Sequence, residues 1–420
     1  MARRAAWTAA LLALALTGAG SAAEPASATG ACASCCEELT PRGSAPGIFN
    51  CADCCACCDD LRVYRSEILG RLWVRGEYLA WAMKGQEFPP LVAVNAASIA
   101  SDVPLGRLRT FTLVGDEELL GGMSSGGRLT GGFWWTPEQF GGIEGSFFEV
   151  DAESHQRVVN QDPLVIGRPY HDVTTGQDLL LTVASPGVLR GSVEVGAETQ
   201  FTGGEALLRQ NFRYGPTYRV DFVGGYRHAH LGDQLLIRES LAPLVGYPAN
   251  TYIDRFDLFR AENDFHGLQL GTIACLRRNN VSLQLTGKVG IGQSITDVDI
   301  DGGTAVTQYT GTRANQLSGS PGGLLALPSN MGHYHDAGFG TFEELGLNLQ
   351  LQLTCLSRVF LGYNFMYWSR VARVADQLDL GVNPTQMSSG QLVGPARPAF
   401  NLATTDFWAQ GLNVGFEYQF

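Results

Sequence analysis

Twelve ionisable residues fall on one parity of stretches that alternate apolar and polar: Arg75, Glu77, Glu144, Arg209, Arg213, Arg219, Asp221, Arg227, Lys288, Glu344, Arg370 and Glu417. Seven are basic and five acidic. Charges on the inner side of a wall of strands can line a passage for small solutes, or pair across the interior and fill it. The mixed signs argue against strong ion selectivity. Other chemistry is weaker. Gly122-Met123-Ser124-Ser125-Gly126 has the Gly-x-Ser-x-Gly spacing of a nucleophile elbow. That device needs a helix after the turn, and an alternating strand follows here. His228 and His230 share a face and His266 begins another strand. No serine is placed near them convincingly, so they read as interfacial, hydrogen-bonded histidines. Asp297, Asp299 and Asp301 precede Gly302 as in a calcium loop, but the twelfth position is Gln308, where a bidentate Glu is wanted. An Asp-Gly turn at a strand end is the plainer reading, with weak calcium binding the alternative. These residues imply no cofactor and no enzyme.

Cysteine is concentrated at one end. Cys32, Cys35, Cys36, Cys51, Cys54, Cys55, Cys57 and Cys58 are eight of the ten in the chain. In an exported protein an even set reads as disulfides. Thiolate metal binding through Cys32-x-x-Cys35 and Cys51-x-x-Cys54 is one alternative, and bridges to a neighbouring chain are another. Cys275 and Cys355 stand apart and are expected to be free, buried thiols.

Export itself is legible. Arg3 and Arg4 lead a small apolar run from Ala5 to Leu16, and Ser21-Ala22-Ala23 supplies small residues for cleavage. Residues 1–23 are therefore expected to be a secretory signal. No later stretch has the ~18 apolar residues of a membrane helix. A net charge of −12 argues against nucleic acid as a partner. Charged residues are only 17%, low for a wholly water-facing surface but natural for one that meets hydrocarbon.

The elements that must position the charges alternate with period two. Leu72 to Met83 sets Leu72, Val74 and Tyr78 against Trp73, Arg75 and Glu77. Leu345, Leu347, Leu349, Leu351 and Leu353 oppose Glu344, Asn348, Gln350 and Gln352. Val414, Phe416, Tyr418 and Phe420 close the chain on the apolar parity. Short turns are expected near 136–140, 214–217, 278–280 and 356–358. Long polar connections are expected over 84–123, 153–203, 233–265, 297–337 and 376–403. Short turns on one side and long loops on the other describe an outer-membrane barrel. Four short turns, five long loops and both ends on the short side require ten strands. A twelve-stranded version would use extended pieces near Leu179 and Val193. The expected fold is thus all-β, a transmembrane antiparallel up-and-down β-barrel of about ten strands. Its N-terminal Cys-rich segment, 24–70, would be periplasmic, and 71–420 would form the barrel.

Five strings carry a family resemblance. They are Trp73-Val74-Arg75-Gly76-Glu77-Tyr78-Leu79, Ser125 to Leu129 with Gly142 to Ser146, Asp221 to Arg227, Pro328-Ser329-Asn330, and Gly362 to Ser369. In this order, over roughly 71–420, the chain resembles the planctomycete outer-membrane beta-barrel porin-7 family. The resemblance implies an outer-membrane barrel in a Gram-negative cell, and carries over no substrate and no catalytic residue. Outer-membrane lipid and the barrel-assembly machinery are the expected partners, with Phe416, Tyr418 and Phe420 as the assembly signal. Two functions follow as expectations. One is porin-like passive passage of small solutes through a narrow lumen. The other is a plugged structural barrel, assembled as a homo-oligomer or disulfide-linked to neighbours through the Cys-rich arm.

Overall fold

The computed structural model describes residues 69–95, 103–104, 110–159, 164–311, 313–388 and 392–420. The expected signal segment and the eight clustered cysteines lie outside them. Ten long antiparallel strands dominate: β1 (Leu72–Met83), β2 (Met123–Trp134), β3 (Gly141–Val159), β4 (Leu189–Tyr214), β5 (Tyr218–Pro243), β6 (Thr251–Arg278), β7 (Val281–Thr310), β8 (Gly332–Gln352), β9 (Ser357–Val371) and β10 (Thr405–Gln419). Each pairs with its sequence neighbour, and β1 also pairs with β10, from Trp73 opposite Gln419 to Met83 opposite Ala409. Every one of the ten therefore has at least two partners, and β7 has a third in Arg313–Pro321 of the connection that follows it. Among the described residues, helix is confined to short turns such as Thr385–Ser388.

Three of the short connections fall where the sequence placed them, while the fourth runs over 353–356 rather than 356–358 because β9 already begins at Ser357. The tightest, Asn279-Asn280 between β6 and β7, has Asn279 at a φ of 54°, as a two-residue hairpin turn requires. Both described ends lie at this end of the strands, and the Phe420 amide donates to the Leu72 carbonyl at 3.0 Å.

The strands outrun the expected ones. β5, β6 and β7 continue for 26, 28 and 30 residues, through segments expected to be loops at 233–265 and after Asp297. Near the turns the outward parity is apolar: Phe222 and Tyr226 on β5, Leu268 and Leu270 on β6, Val289 and Ile291 on β7, Leu345 to Leu351 on β8 and Leu353 just past its end. All are exposed. From Leu345 to Leu353 this belt follows the strand for about 27 Å at ~3.4 Å per residue. Farther up, the apolar side is the inner one: Leu235 and Ile237, Phe259 and Ala261, Val298 and Ile300 are all buried.

Those upper inner faces enclose a core. Four of the five longer connections fold onto it, through Phe88 to Val94, Ile166 with Tyr170 and Leu179, Leu324 to Leu327, and Ala372 to Val382. The connections form a six-stranded sheet of their own. In it Val165–Asp172 pairs with both Gln177–Ala184 and Val92–Asn95. The twelve-stranded alternative fails here: Leu179 belongs to this second sheet, and Val193 is simply part of β4. We call the inward-folded connections the cap. Of the two isolated cysteines, Cys275 is free and half-buried, whereas Cys355 is disulfide-bonded, contrary to expectation.

Candidate functional site

The interior between the ten strands is stratified, and its lowest layer holds the charges. On β1 and β10 the register sets Arg75 opposite Glu417, and the Arg75 guanidinium donates to Glu417 at 2.6 Å. Arg358 reaches the other oxygen of the same carboxylate, also at 2.6 Å. Across the space, Arg209 bridges Glu144 at 3.1 Å and Asp221 at 2.7 Å, while Arg219 holds Asp221 at 2.8 Å. At the centre Arg227 donates to Glu205 at 3.0 Å and Glu344 at 2.7 Å. Lys288 completes this group, 2.6 Å from Glu205 and 3.6 Å from Glu344. Arg128 lies 3.8 Å from Glu77, and Asn413 donates to Glu77 at 2.8 Å. Among the described residues, a polar cavity of about 50 Å³ lies between these charges, room for a few waters.

All but two of the twelve sequence candidates lie in this layer. Arg213 does not. A bulge between Asn211 and Arg213 shifts the register, so that Arg213 pairs with Val220 and its side chain is exposed. Arg370 keeps its parity but stands near the opposite end, ion-paired with Asp336 above the other charges. Glu205, Arg128 and Arg358 belong to the network and were missed. Glu205 sits four residues before Arg209, on the same parity, so extending that face would have found it. Arg358 falls in the span expected to be a turn, 356–358, but stands on β9.

Immediately above the charges the interior is closed by rings. Trp81, Phe148, Phe201, Phe265, Phe342, Trp368 and Phe407 come from seven different strands and are all buried. Phe148 and Phe407 each pack against Phe201 with ring centroids 4.9 Å apart. Phe265 and Trp368 stand at 6.0 Å. The two layers interlock, since the Arg227 guanidinium lies over the Phe342 ring at 4.3 Å.

The cap is pinned by a third polar group. Arg168 donates to Glu239 at 2.8 Å and to Asp257 at 2.5 Å, and none of the three is exposed. Burial works against the charge on Arg168, but the two carboxylates outweigh it and raise its pKa. Asp257 also accepts from the backbone amides of Leu324, Leu325 and Ala326, at 2.9, 3.1 and 2.8 Å. Asn330, from the Pro-Ser-Asn string, fixes the same loop by accepting from the Leu327 amide and donating to the Leu325 carbonyl.

The remaining candidates lie elsewhere. Asp297, Asp299 and Asp301 are on β7, not in a loop. Alternate strand residues stand about 7 Å apart and cannot converge on one calcium ion as loop residues do. His335 engages Asp297 at 2.7 Å and His333 engages Asp299 at 2.9 Å. Phe416, Tyr418 and Phe420 face outward with Val414 and are exposed.

An antiparallel sheet of ten strands, apolar outside and polar inside beside its short turns, has the pattern of an outer-membrane β-barrel. The chain belongs to the beta barrel porin-7 family (BBP7), whose family model matches residues 73–420. It is thereby an outer-membrane, porin-like β-barrel protein. No curated protein matches it significantly. Among solved structures, it is similar to the outer membrane protease OmpT of Escherichia coli, at 9% identity and a TM-score of 0.40, covering 85% of this chain and 99% of that one. The toluene transporter TodX of P. putida is also similar, at 9% identity, a TM-score of 0.18 and coverage of 83% and 90%. A Pseudomonas aeruginosa FadL homologue follows at 8% identity and a TM-score of 0.20, again over 83% and 90%.

Proposed function

We propose that the ten strands close into a transmembrane barrel that is sealed, and that the protein is a structural outer-membrane anchor presenting a folded cap rather than an open pore. The short turns and both ends of 71–420 face the periplasm, and the cap faces outward. No catalysis is assigned to it. One observation carries the reading: buried rings from seven strands lie directly above a paired ion network whose described cavity is about 50 Å³. A hydrated solute would have to displace aromatic side chains and separate ion pairs within one short length. Passive passage remains the rival function. Reconstitution of the folded protein in planar bilayers separates the two, with insertion checked by heat-modifiable mobility in liposomes. The expected result is no steady conductance. Stepwise, reproducible channel openings by the unmodified protein would overturn the sealed reading.

A further inference from the structure

We propose that His228, Asp264 and His266, with His230 beside them, form a site for a zinc-like divalent metal ion on the outer wall, where the apolar belt gives way to polar residues. The register of β5 and β6 builds it. His228 stands opposite His266 and His230 opposite Asp264, so four donor side chains occupy two adjacent rungs on one face. Cross-strand neighbours are about 5 Å apart at Cβ, close enough for side chains to share an ion. One ligand atom from each of His228, Asp264 and His266 lies within 4.8 Å of the other two.

The hydrogen bonds already converge on one point. His228 Nε2 and His230 Nδ1 lie 3.3 and 3.0 Å from the same oxygen of Asp264. His266 is oriented from behind: the Tyr226 hydroxyl is 2.6 Å from its Nδ1, which leaves Nε2 for an ion. A partner on the second ring nitrogen is how metal-binding imidazoles are fixed. Tetrahedral zinc, with bonds of about 2.0–2.1 Å, needs the donors to close by roughly 1–1.5 Å, within reach of side-chain rotation.

The donor set selects the ion. Imidazole nitrogens with a single carboxylate suit zinc, copper or nickel, whereas calcium and magnesium require mostly oxygen. His228, His230 and Asp264 are half-buried and His266 is exposed, so an ion can enter from water. Its height is fixed by its neighbours. Tyr226, Leu268 and Leu270 are exposed on one side along the strands, and Glu262 and Arg260 on the other.

Cobalt(II) is the probe, added to the purified full-length protein in detergent. Any site in the cysteine-rich segment would give a thiolate-to-cobalt charge-transfer band, and the site proposed here would give only d–d bands. The expected result is one equivalent of cobalt with a nitrogen–oxygen spectrum, displaced by zinc. His228→Ala and His266→Ala should each weaken that binding by about tenfold or more. The double variant His333→Ala/His335→Ala, on β8, should leave it unchanged. Heat-modifiable mobility verifies the fold of each variant. Absence of a nitrogen–oxygen cobalt spectrum from the unmodified protein, or full binding by folded His266→Ala, would reduce the cluster to hydrogen-bonded histidines and overturn the proposal.

Discussion

Replacing Arg227 with Met tests whether the charged layer is dry. Arg227, Lys288, Glu205 and Glu344 form a group of two cations and two anions with side-chain exposures of 2, 6, 5 and 6%. Met keeps much of the volume but leaves two carboxylates facing one ammonium. Removing one partner from a buried ion pair costs about 3–5 kcal/mol, because the charge left behind is desolvated and uncompensated. That is a hundredfold to a few thousandfold in the folding equilibrium, at ~1.4 kcal/mol per factor of ten. If water filled the lumen, the same charges would be screened and the loss would be about 0–1 kcal/mol. The assay is reversible denaturant unfolding in lipid or detergent, followed by tryptophan emission and by gel mobility. The double variant Arg227→Met/Glu344→Gln restores one cation to one anion and should regain more than half of the loss. A single-variant loss below about 1 kcal/mol, or no recovery in the double variant, would refute the packed, low-dielectric interior.

The belt makes a depth-dependent prediction. Leu347→Arg, mid-belt, should cost about 2–4 kcal/mol, while Leu353→Arg, beside the short turn, should cost about 0–1 kcal/mol by the same unfolding assay. Equal costs would place the membrane elsewhere. Asp257→Ala strips three backbone amides and one Arg168 contact of their acceptor, which should loosen the cap by about 3 kcal/mol or more. Limited proteolysis within 313–331 should accelerate while heat-modifiable mobility of the wall is unchanged. Simultaneous loss of both would make cap and wall one cooperative unit.

The lower wall was legible and the upper wall was not, and β6 shows why. Near its turn, Leu268 and Leu270 face outward and Gln269 inward, a clean alternation with the apolar side toward lipid. Higher up, Phe259, Ala261 and Phe265 face inward toward core, while Arg260 and Glu262 face water. The backbone continues unbroken, but the apolar parity changes sides. A pattern search sees the belt alternation stop and reads a loop. On β4 the same exchange separates outward Leu208 and Phe212 from inward Val193, Val195 and Phe201. Charges in the lower layer were found by parity for the same reason, and Arg213 was lost because a single bulge reverses faces. The convergence of Asp257 with Arg168 was hidden altogether. It joins residues 89 apart, from a cap strand and a wall strand, and neither local pattern marks them as partners.

The strands that meet at β1 and β10 are among the shortest of the ten, 12 and 15 residues, while β7 has 30. They are also the pair farthest apart along the chain, with Trp73 bonded across to Gln419. No nascent length short of nearly the whole chain can make this seam. Until it forms, one edge of β1 and one of β10 have no mate, and each amide left unpaired in hydrocarbon costs several kcal/mol. The seam spans 11 paired positions against 28 between β6 and β7, so less than half as much edge waits for a mate there. The order of elements along the chain thus limits the penalty carried by the half-assembled wall.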